Sequence, residues 1–397
     1  MASGKRRKWP WVVLFVAIAL VVVFYLGGGW YFSGQVYDDA LEAVPYDPAD
    51  LQQGTVRTVD ATRDPTTITI LPEPDERAET KFDDAEMGLV IGESLVVVGP
   101  AERAANGSQT RQILDVVGDA PQPGDTYGLT RDVWLTPEQA GYDAEDITLT
   151  TLEGKDYPAW LIPGKGAKRW AILVHGKGAA RSEMLRMARP LKAAGYNVII
   201  TTYDGDVGAP PYDDGMVTFG RVEWPVVEAG VQYAIDEGAE RIVLGGVSHG
   251  GAVVLGFLAR GTLASSVDAV ILDAPASSLN DVIDEAADFR SLPVGGLPIP
   301  ESLEDVAKWF VAFRYGVDYK AVDYIDQADL IKVPLLTFQG SADQTVPEPD
   351  NDRFMGPGGS GSAGEYVVVE GADHVLAWNY DPEAYEEKVT EFLDALP

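Results

Sequence analysis

Apolar residues are spread unevenly along this chain, and their spacing changes three times. The first stretch is an unbroken apolar run over residues 9–26 that contains no charge. Gly27, Gly28 and Gly29 close it, followed by the aromatic residues Trp30, Tyr31 and Phe32. Residues 9–32 are long enough to cross a bilayer core, which takes roughly 20 residues, and predict an N-terminal transmembrane helix over a segment 1–33. Residues 34–50 are polar, hold Pro45 and Pro48, and read as a stalk. Over residues 51–144, short β-type runs recur between Gly, Pro and Asp. They lie at 66–71, at 88–98 as a hairpin about Gly92 and Glu93, and at 111–117. This predicts a small β-rich accessory region without a chemical motif.

From residue 145 to 397 the pattern becomes regular. Residues 147–151 and 157–162 flank the turn Glu153-Gly154-Lys155 and predict a hairpin. Continuous apolar runs follow at 170–174, 197–203, 241–247, 269–272, 334–338 and 365–369, as expected of buried parallel strands. Helical patterns lie among them at 183–194, 222–236, 249–260 and 380–396, the first stopped by Gly195. Strands alternating with helices predict an α/β domain with a mostly parallel sheet covered on both faces. Residues 276–330 interrupt the alternation with Pro293, Pro298 and Pro300 and a helical run at 303–313, and read as a cap.

The chemistry gathers at the ends of these strands. Gly246-Val247-Ser248-His249-Gly250 fits Gly-x-Ser-x-Gly. The motif is common by chance, but here an apolar strand enters it and a helix leaves it, the strand–turn–helix setting it requires. Such a turn pushes the serine hydroxyl out above the sheet, and side chains two residues either side would collide, hence Gly246 and Gly250. A serine hydroxyl needs a base, and the chain has three histidines. His249 follows the serine, and its side chain is expected to point away with the helix. His175 ends the 170–174 strand within His175-Gly176-Lys177-Gly178. His374, in Gly371-Ala372-Asp373-His374, follows the last strand, where a loop returns over the strand ends, and is the expected base.

Asp343, in Gly340-Ser341-Ala342-Asp343-Gln344-Thr345-Val346-Pro347, is the expected carboxylate to fix the tautomer of that base. Asp273, at the end of the 269–272 strand, is the alternative. Asp373 reads as a loop-capping residue. Two backbone N–H groups must hold an oxyanion: that of His249, and by position that of Lys177 in the loop after the 170–174 strand. His175 and Gly176 would support that loop. The Lys177 side chain reads as a solvated loop lysine, with contact to an anionic substrate as the alternative.

Four segments together carry a resemblance: Leu173-Val174-His175-Gly176, Gly246-Val247-Ser248-His249-Gly250-Gly251, Gly340-Ser341-Ala342-Asp343 and Gly371-Ala372-Asp373-His374. Residues 145–397 resemble the α/β-hydrolase superfamily in strand order and in the three positions Ser, Asp, His. The doubled glycine after the serine is similar to the serine-aminopeptidase-like, prolyl-oligopeptidase-like and monoacylglycerol-lipase-like branches alike. The resemblance implies an eight-stranded sheet whose second strand is antiparallel, and it says nothing of residues 1–140. Tyr203-Asp204-Gly205 departs from the many relatives that carry Arg after the tyrosine. The cap is short, which argues against a deep, fully enclosed pocket.

Composition narrows the function. With 62 acidic and 30 basic residues the formal net charge is −32, a surface that repels phosphates, so no nucleic-acid partner is expected. The acidity reads as a solubility or high-salt feature, with attraction of cationic substrates as the alternative. The chain has no cysteine, which removes disulfides, thiolate metal sites, cysteine nucleophiles and lipoprotein-type acylation. No metal or cofactor is implied. Asn106-Gly107-Ser108 fits the glycosylation sequon, which matters only in a eukaryotic secretory pathway. Lys5, Arg6, Arg7 and Lys8 before the apolar run place the N-terminus in the cytoplasm and the bulk of the chain outside it. A cleaved signal peptide is the rival, but a small-residue cleavage site does not follow the run. The expected function is serine-dependent hydrolysis of carboxylic esters, lipid or envelope-associated. A serine peptidase on the same residues is the alternative, and a tethered binding protein on a retired hydrolase scaffold is the non-enzymatic one.

Overall fold

The computed structural model describes residues 9–73, 82–166, 168–293, 295–327, 331–346 and 364–396. The basic cluster of residues 5–8 and Pro347 of the Asp343 segment lie outside them. The apolar run forms one long helix, α1 (Trp9–Val36), and it is the one described helix long and apolar enough to cross a membrane. Its first half meets no other part of the chain: Trp11 is 74% exposed and Phe15 73%.

Residues 51–144 build a closed six-stranded antiparallel barrel. Its strands are β1 (Gln52–Asp60), β2 (Thr67–Pro72), β3 (Met87–Ile91), β4 (Ser94–Arg103), β5 (Gln109–Val117) and β6 (Thr126–Thr130), in the order β1-β2-β5-β4-β3-β6. The hairpin about Gly92 and Glu93 is β3–β4. The closing strands β1 and β6 had no counterpart among the expected runs. Closure removes the exposed edges that a small sheet would otherwise present. Arg111 is buried inside the barrel wall, where its guanidinium donates to the carbonyls of Phe82, Ala85 and Gly99.

The rest of the chain forms an eight-stranded sheet in the order β14-β13-β12-β11-β9-β10-β8-β7. The strands are β7 (Glu145–Thr150), β8 (Asp156–Ile162), β9 (Arg169–Val174), β10 (Asn197–Thr201), β11 (Arg241–Val247), β12 (Ala269–Asp273), β13 (Leu335–Gly340) and β14 (Gly364–Val369). From β9 on, neighbouring strands run parallel, and β8 is antiparallel to both its neighbours. This is the α/β-hydrolase arrangement. Helices α2 (Leu185–Ala193), α3 (Pro225–Asp236), α4 (His249–Arg260) and, further on, a terminal helix (Pro382–Ala395) cover it. The cap consists of α5 (Leu279–Asp288) and α6 (Glu301–Tyr315).

Residues 34–50 do not stand free as a stalk. Leu41 is 1% exposed and belongs to the core beneath the sheet. The Val217 N–H donates to the Leu41 carbonyl, and the Ala43 N–H to the Gly215 carbonyl. Tyr37, Ala40 and Ala43 pack against the same core, so the few apolar residues of a polar stretch dock it. Leu41→Ala should therefore destabilise the hydrolase domain by about 2–5 kcal/mol. The midpoint of denaturant unfolding, followed by tryptophan fluorescence, measures this; an unchanged midpoint would mean that the segment is loosely held.

Candidate active site

Ser248 stands between β11 and α4 with φ 49° and ψ −121°. A non-glycine residue in this region carries strain on the order of 1–3 kcal/mol, so its surroundings must hold it there. They do so by contact. A Cβ on Gly246 would lie 2.6 Å from the Gly250 oxygen, and one on Gly250 would lie 2.1 Å from the Val174 oxygen. No larger residue fits either place. The Ser248 N–H donates to the Asp273 carbonyl (3.0 Å), while the Ser248 carbonyl accepts from Gly251 and Ala276, both at 3.0 Å.

His374 lies in the loop after β14. Its Nε2 is 2.8 Å from Ser248 Oγ, and its Nδ1 is 2.8 Å from Asp343 Oδ2. Asp343 follows β13 and accepts from the N–H groups of Thr345 (2.8 Å) and Val346 (2.9 Å) and from Gln339 Nε2 (3.0 Å). Burial pushes the Asp343 carboxyl up, but the His374 imidazole and these donors outweigh it and leave its pKa below the ordinary value. An ionised carboxylate only accepts, so Nδ1 carries the imidazole proton and Nε2 is left to accept from the serine hydroxyl. Such a chain can take up a proton from Oγ and steady the resulting charge.

The barrel braces this histidine loop. Ala372 and Leu376, on either side of His374, are buried in the barrel's core. Arg131 Nη1, just past β6, donates to the His374 carbonyl at 3.2 Å. Asn379 Nδ2 donates to the carbonyls of Glu86 and Arg131, and the Glu86 N–H returns to the Asn379 carbonyl. Asp373 accepts from the Gln344 N–H (3.3 Å), which ties the two loops together.

The loop after β9 forms the opposite wall. A Cβ on Gly176 would come within 3.3 Å of Ser248 Cβ, and the Gly176 N–H is taken by Glu183 Oε2 at 2.7 Å. His175 is buried and points away from Ser248: its Nδ1 faces the Gly176 carbonyl (3.0 Å) and its Nε2 faces Asp206 Oδ2 (2.9 Å). Both partners accept, so both nitrogens donate. Burial opposes that charge, but Asp206 and the Gly176 carbonyl outweigh it and raise the His175 pKa. Tyr203 stacks on His175 and donates to the Gly176 carbonyl at 2.8 Å. Lys177 Nζ is not free in solvent but donates to the Asp39 carbonyl, and burial lowers its pKa to about 8.

The His249 side chain is buried between Tyr203 and Phe219, 3.6 Å from Glu223 Oε1. Burial works against the charge on Glu223, yet His249 and the donors of Thr218 hold its carboxyl down at about 2. The structure thus brings Ser248, His374 and Asp343 together, with Gly176, Gly246 and Gly250 against the serine. It keeps the side chains of His175 and His249 beneath the site. Tyr203, Asp206, Glu223 and Arg131 were not among the expected site residues. Tyr203 and Asp206 follow an apolar strand end, the position that singled out the others, whereas nothing local marks Arg131.

Above Ser248 and His374 opens a cleft of about 740 Å³. The cap contributes Val282, Ile283 and Ala307 to its walls and α1 contributes Phe32 and Val36, while Arg131, Lys177 and Arg290 add basic side chains and Asp39 and Glu304 carboxyl groups. It is a cleft rather than an enclosed pocket, as the short cap implied.

This chain belongs to the alpha/beta hydrolase family, whose model matches residues 171–388. It is similar to the uncharacterised protein YfhR of Escherichia coli strain K12, at 23% identity over 269 residues, covering 64% of this chain and 81% of that protein. Among solved structures, the esterase Pf2001 of Pyrococcus furiosus shares the fold, with a TM-score of 0.52 and 22% identity, covering 66% of this chain and 96% of that one. Both likenesses leave about a third of this chain uncovered, and the family match begins after α1 and the barrel.

Asp273, the alternative acid, does not meet His374. It is buried at the end of β12, its Oδ1 has no hydrogen-bond partner, and burial pushes its carboxyl up to about 7. In the unfolded chain that carboxyl titrates near 3.8. Between about pH 4 and pH 7 the unfolded state therefore sheds a proton that the folded state keeps, and stability falls as pH rises. Asp273→Asn should remove this penalty. The melting temperature of the variant relative to the parent should be level near pH 4 and several degrees higher at pH 8. A difference that does not change with pH would contradict the assignment.

Proposed function

We propose that this hydrolase cleaves carboxylic esters through an acyl-enzyme on Ser248, and that α1 anchors it to a membrane. The observation that carries the first part is the His374 imidazole, 2.8 Å from Ser248 Oγ on one side and 2.8 Å from Asp343 on the other. Ser248 Oγ attacks the ester carbonyl while its proton passes to His374 Nε2. The N–H groups of His249 and Lys177 hold the oxyanion; Gly176, the nearer loop residue, has its N–H committed to Glu183. Helix α4 begins at His249, so that N–H belongs to the first turn, where helices lack internal acceptors. The imidazolium then gives its proton to the leaving alcohol oxygen, and the acyl group stays on Oγ. Water attacks the acyl carbon, its proton passes to His374, and Oγ recovers a proton as the acid leaves. Asp343 orients His374 throughout.

The apolar cap wall favours an ester with a hydrocarbon acyl group. The peptidase alternative has one observation in its favour: the Glu304 carboxyl also lines the cleft, where it would meet a free amino end. The anchor reading draws on the exposed apolar half of α1, and on the packing of its other half against α6, which a cleavage after the apolar run would undo. The positive flank of residues 5–8 puts the catalytic domain outside the cytoplasm.

A fluorophosphonate probe should label the purified protein and fail on Ser248→Ala; equal labelling of both would sink the serine mechanism. Asp343→Asn should keep the fold and lose about 10⁴-fold in kcat, because the imidazole then loses its fixed tautomer. A panel of acyl esters against aminoacyl amides separates the two substrate classes: ester turnover should exceed amide turnover, and the reverse would establish the peptidase.

A further inference from the structure

Helix α1 does more than pass by the catalytic domain. Its C-terminal third lies along α6 from end to end. Tyr25 Oη is 2.8 Å from Ser302 Oγ, and the Trp30 ring meets Phe310 edge-on at 5.6 Å. The Arg314 guanidinium sits 4.0 Å over the Trp30 ring and donates to the Trp30 carbonyl (3.0 Å) and Ser33 Oγ (2.6 Å). A Cβ on Gly29 would fall 2.5 Å from a Val306 methyl, so the glycines that end the apolar run are where the two helices come closest. Phe32 is buried with Leu303 and Ala307.

The same helix is a wall of the catalytic cleft. Phe32 and Val36, four residues apart on one face of α1, and Ala40 in the π-helical turn Tyr37–Leu41 that continues it all line the cleft that holds Ser248 and His374. Ile299 and Ala307 of the cap face the cleft beside them. From Phe32 to Val36 this face rises about 6 Å. Towards its N-terminus the same helix becomes the exposed apolar half of α1. The outer side of α6 presents Trp309 (58% exposed) stacked on Phe313 (70% exposed), and Trp30 and Tyr31 of α1 are also exposed. Aromatic residues gathered at the end of an apolar helix are the signature of a membrane–water interface.

We infer that Phe32 and Val36 of α1, Ala40 in the turn that follows it, and the facing cap residues form a lane that carries the acyl chain of a bilayer lipid from the membrane to Ser248. The substrate is then an acyl ester lipid that keeps its chain in contact with apolar surface while its ester reaches the serine. This rests on the ester-hydrolase reading above and adds the source and the route of the substrate.

The test uses the full chain reconstituted in phosphatidylcholine vesicles. A phosphatidylcholine bearing a diazirine near the end of one acyl chain is included, and crosslinked residues are mapped after illumination. Crosslinks within residues 32–40 and 299–307 are expected; crosslinks confined to residues 9–26 would overturn the lane. In parallel, Val36→Trp narrows the lane, and the ratio of kcat/KM for a palmitoyl ester to that for an acetyl ester is measured. The ratio should fall at least tenfold. A ratio unchanged within twofold, in a variant whose Ser248 still takes the fluorophosphonate label, overturns the lane and leaves the serine mechanism standing. Failure of the parent to take the label removes the mechanism instead, and the crosslinking map still decides the lane.

Discussion

The site depends on one close approach, that of the first turn of α4 to the end of β9. At Gly250 there is no space for even a methyl group, because the carbonyls of Val174 and His175 press on its Cα. That contact brings the serine turn and the loop of residues 175–178 together, so the strained serine and that loop share one rigid corner. The strain at Ser248 is small against what surrounds it. β9, β11 and β12 are buried almost throughout, and the Asp273 carbonyl and the Ala276 N–H tie the turn to the neighbouring strand and to the start of the cap. A serine held this way has its hydroxyl placed before any substrate arrives.

Around this corner the chain spends buried polar groups freely. Arg186 donates to the Val375 carbonyl and to Asn379, and pairs with Glu183, which in turn holds the Gly176 N–H. One network therefore reaches from the loop beside Ser248 to the loop bearing His374. Asn379 carries it on to the barrel through Glu86 and Arg131. Among the described residues the barrel holds no cluster of groups that could bind a metal. Its part is mechanical: it fixes the far side of the histidine loop, which would otherwise hang from the edge strand β14.

Much of the hydrolase half can be read in the chain because buried parallel strands are locally distinctive. The apolar runs at 170–174 and 241–247 coincide with β9 and β11 within one residue at each end, and 249–260 is α4. Ser248, Asp343 and His374 each follow such a strand, so strand ends found by composition led to groups that the fold brings within hydrogen-bonding distance. Other features are set by distant partners and leave no local trace. Barrel closure pairs β1 with β6, some 70 residues away, and β6 is a short Thr-Tyr-Gly-Leu-Thr run between turns. The docking of residues 34–50 turns on contacts to distant residues, Leu41 in the core and Tyr37 stacked on Tyr315. The surroundings of the His249 ring, between Tyr203 and Phe219, are likewise set by distant partners, because the first turn of α4 is itself buried.

The pinning of residues 34–50 also decides how such an enzyme would search. A catalytic domain on a slack tether sweeps a hemisphere and meets whatever diffuses through it. Here α1 packs along α6 and continues without a break into the turn Tyr37–Leu41, Leu41 sits in the core, and Lys177 reaches back to the Asp39 carbonyl, so the helix axis and the cleft are parts of one body. With α1 as the membrane anchor proposed above, the tilt of the helix would set the orientation of the cleft, and the end of the apolar run its height. Diffusion in the plane of the membrane would then replace diffusion through a volume, and the encounter rate would follow the surface density of substrate rather than its concentration in solution.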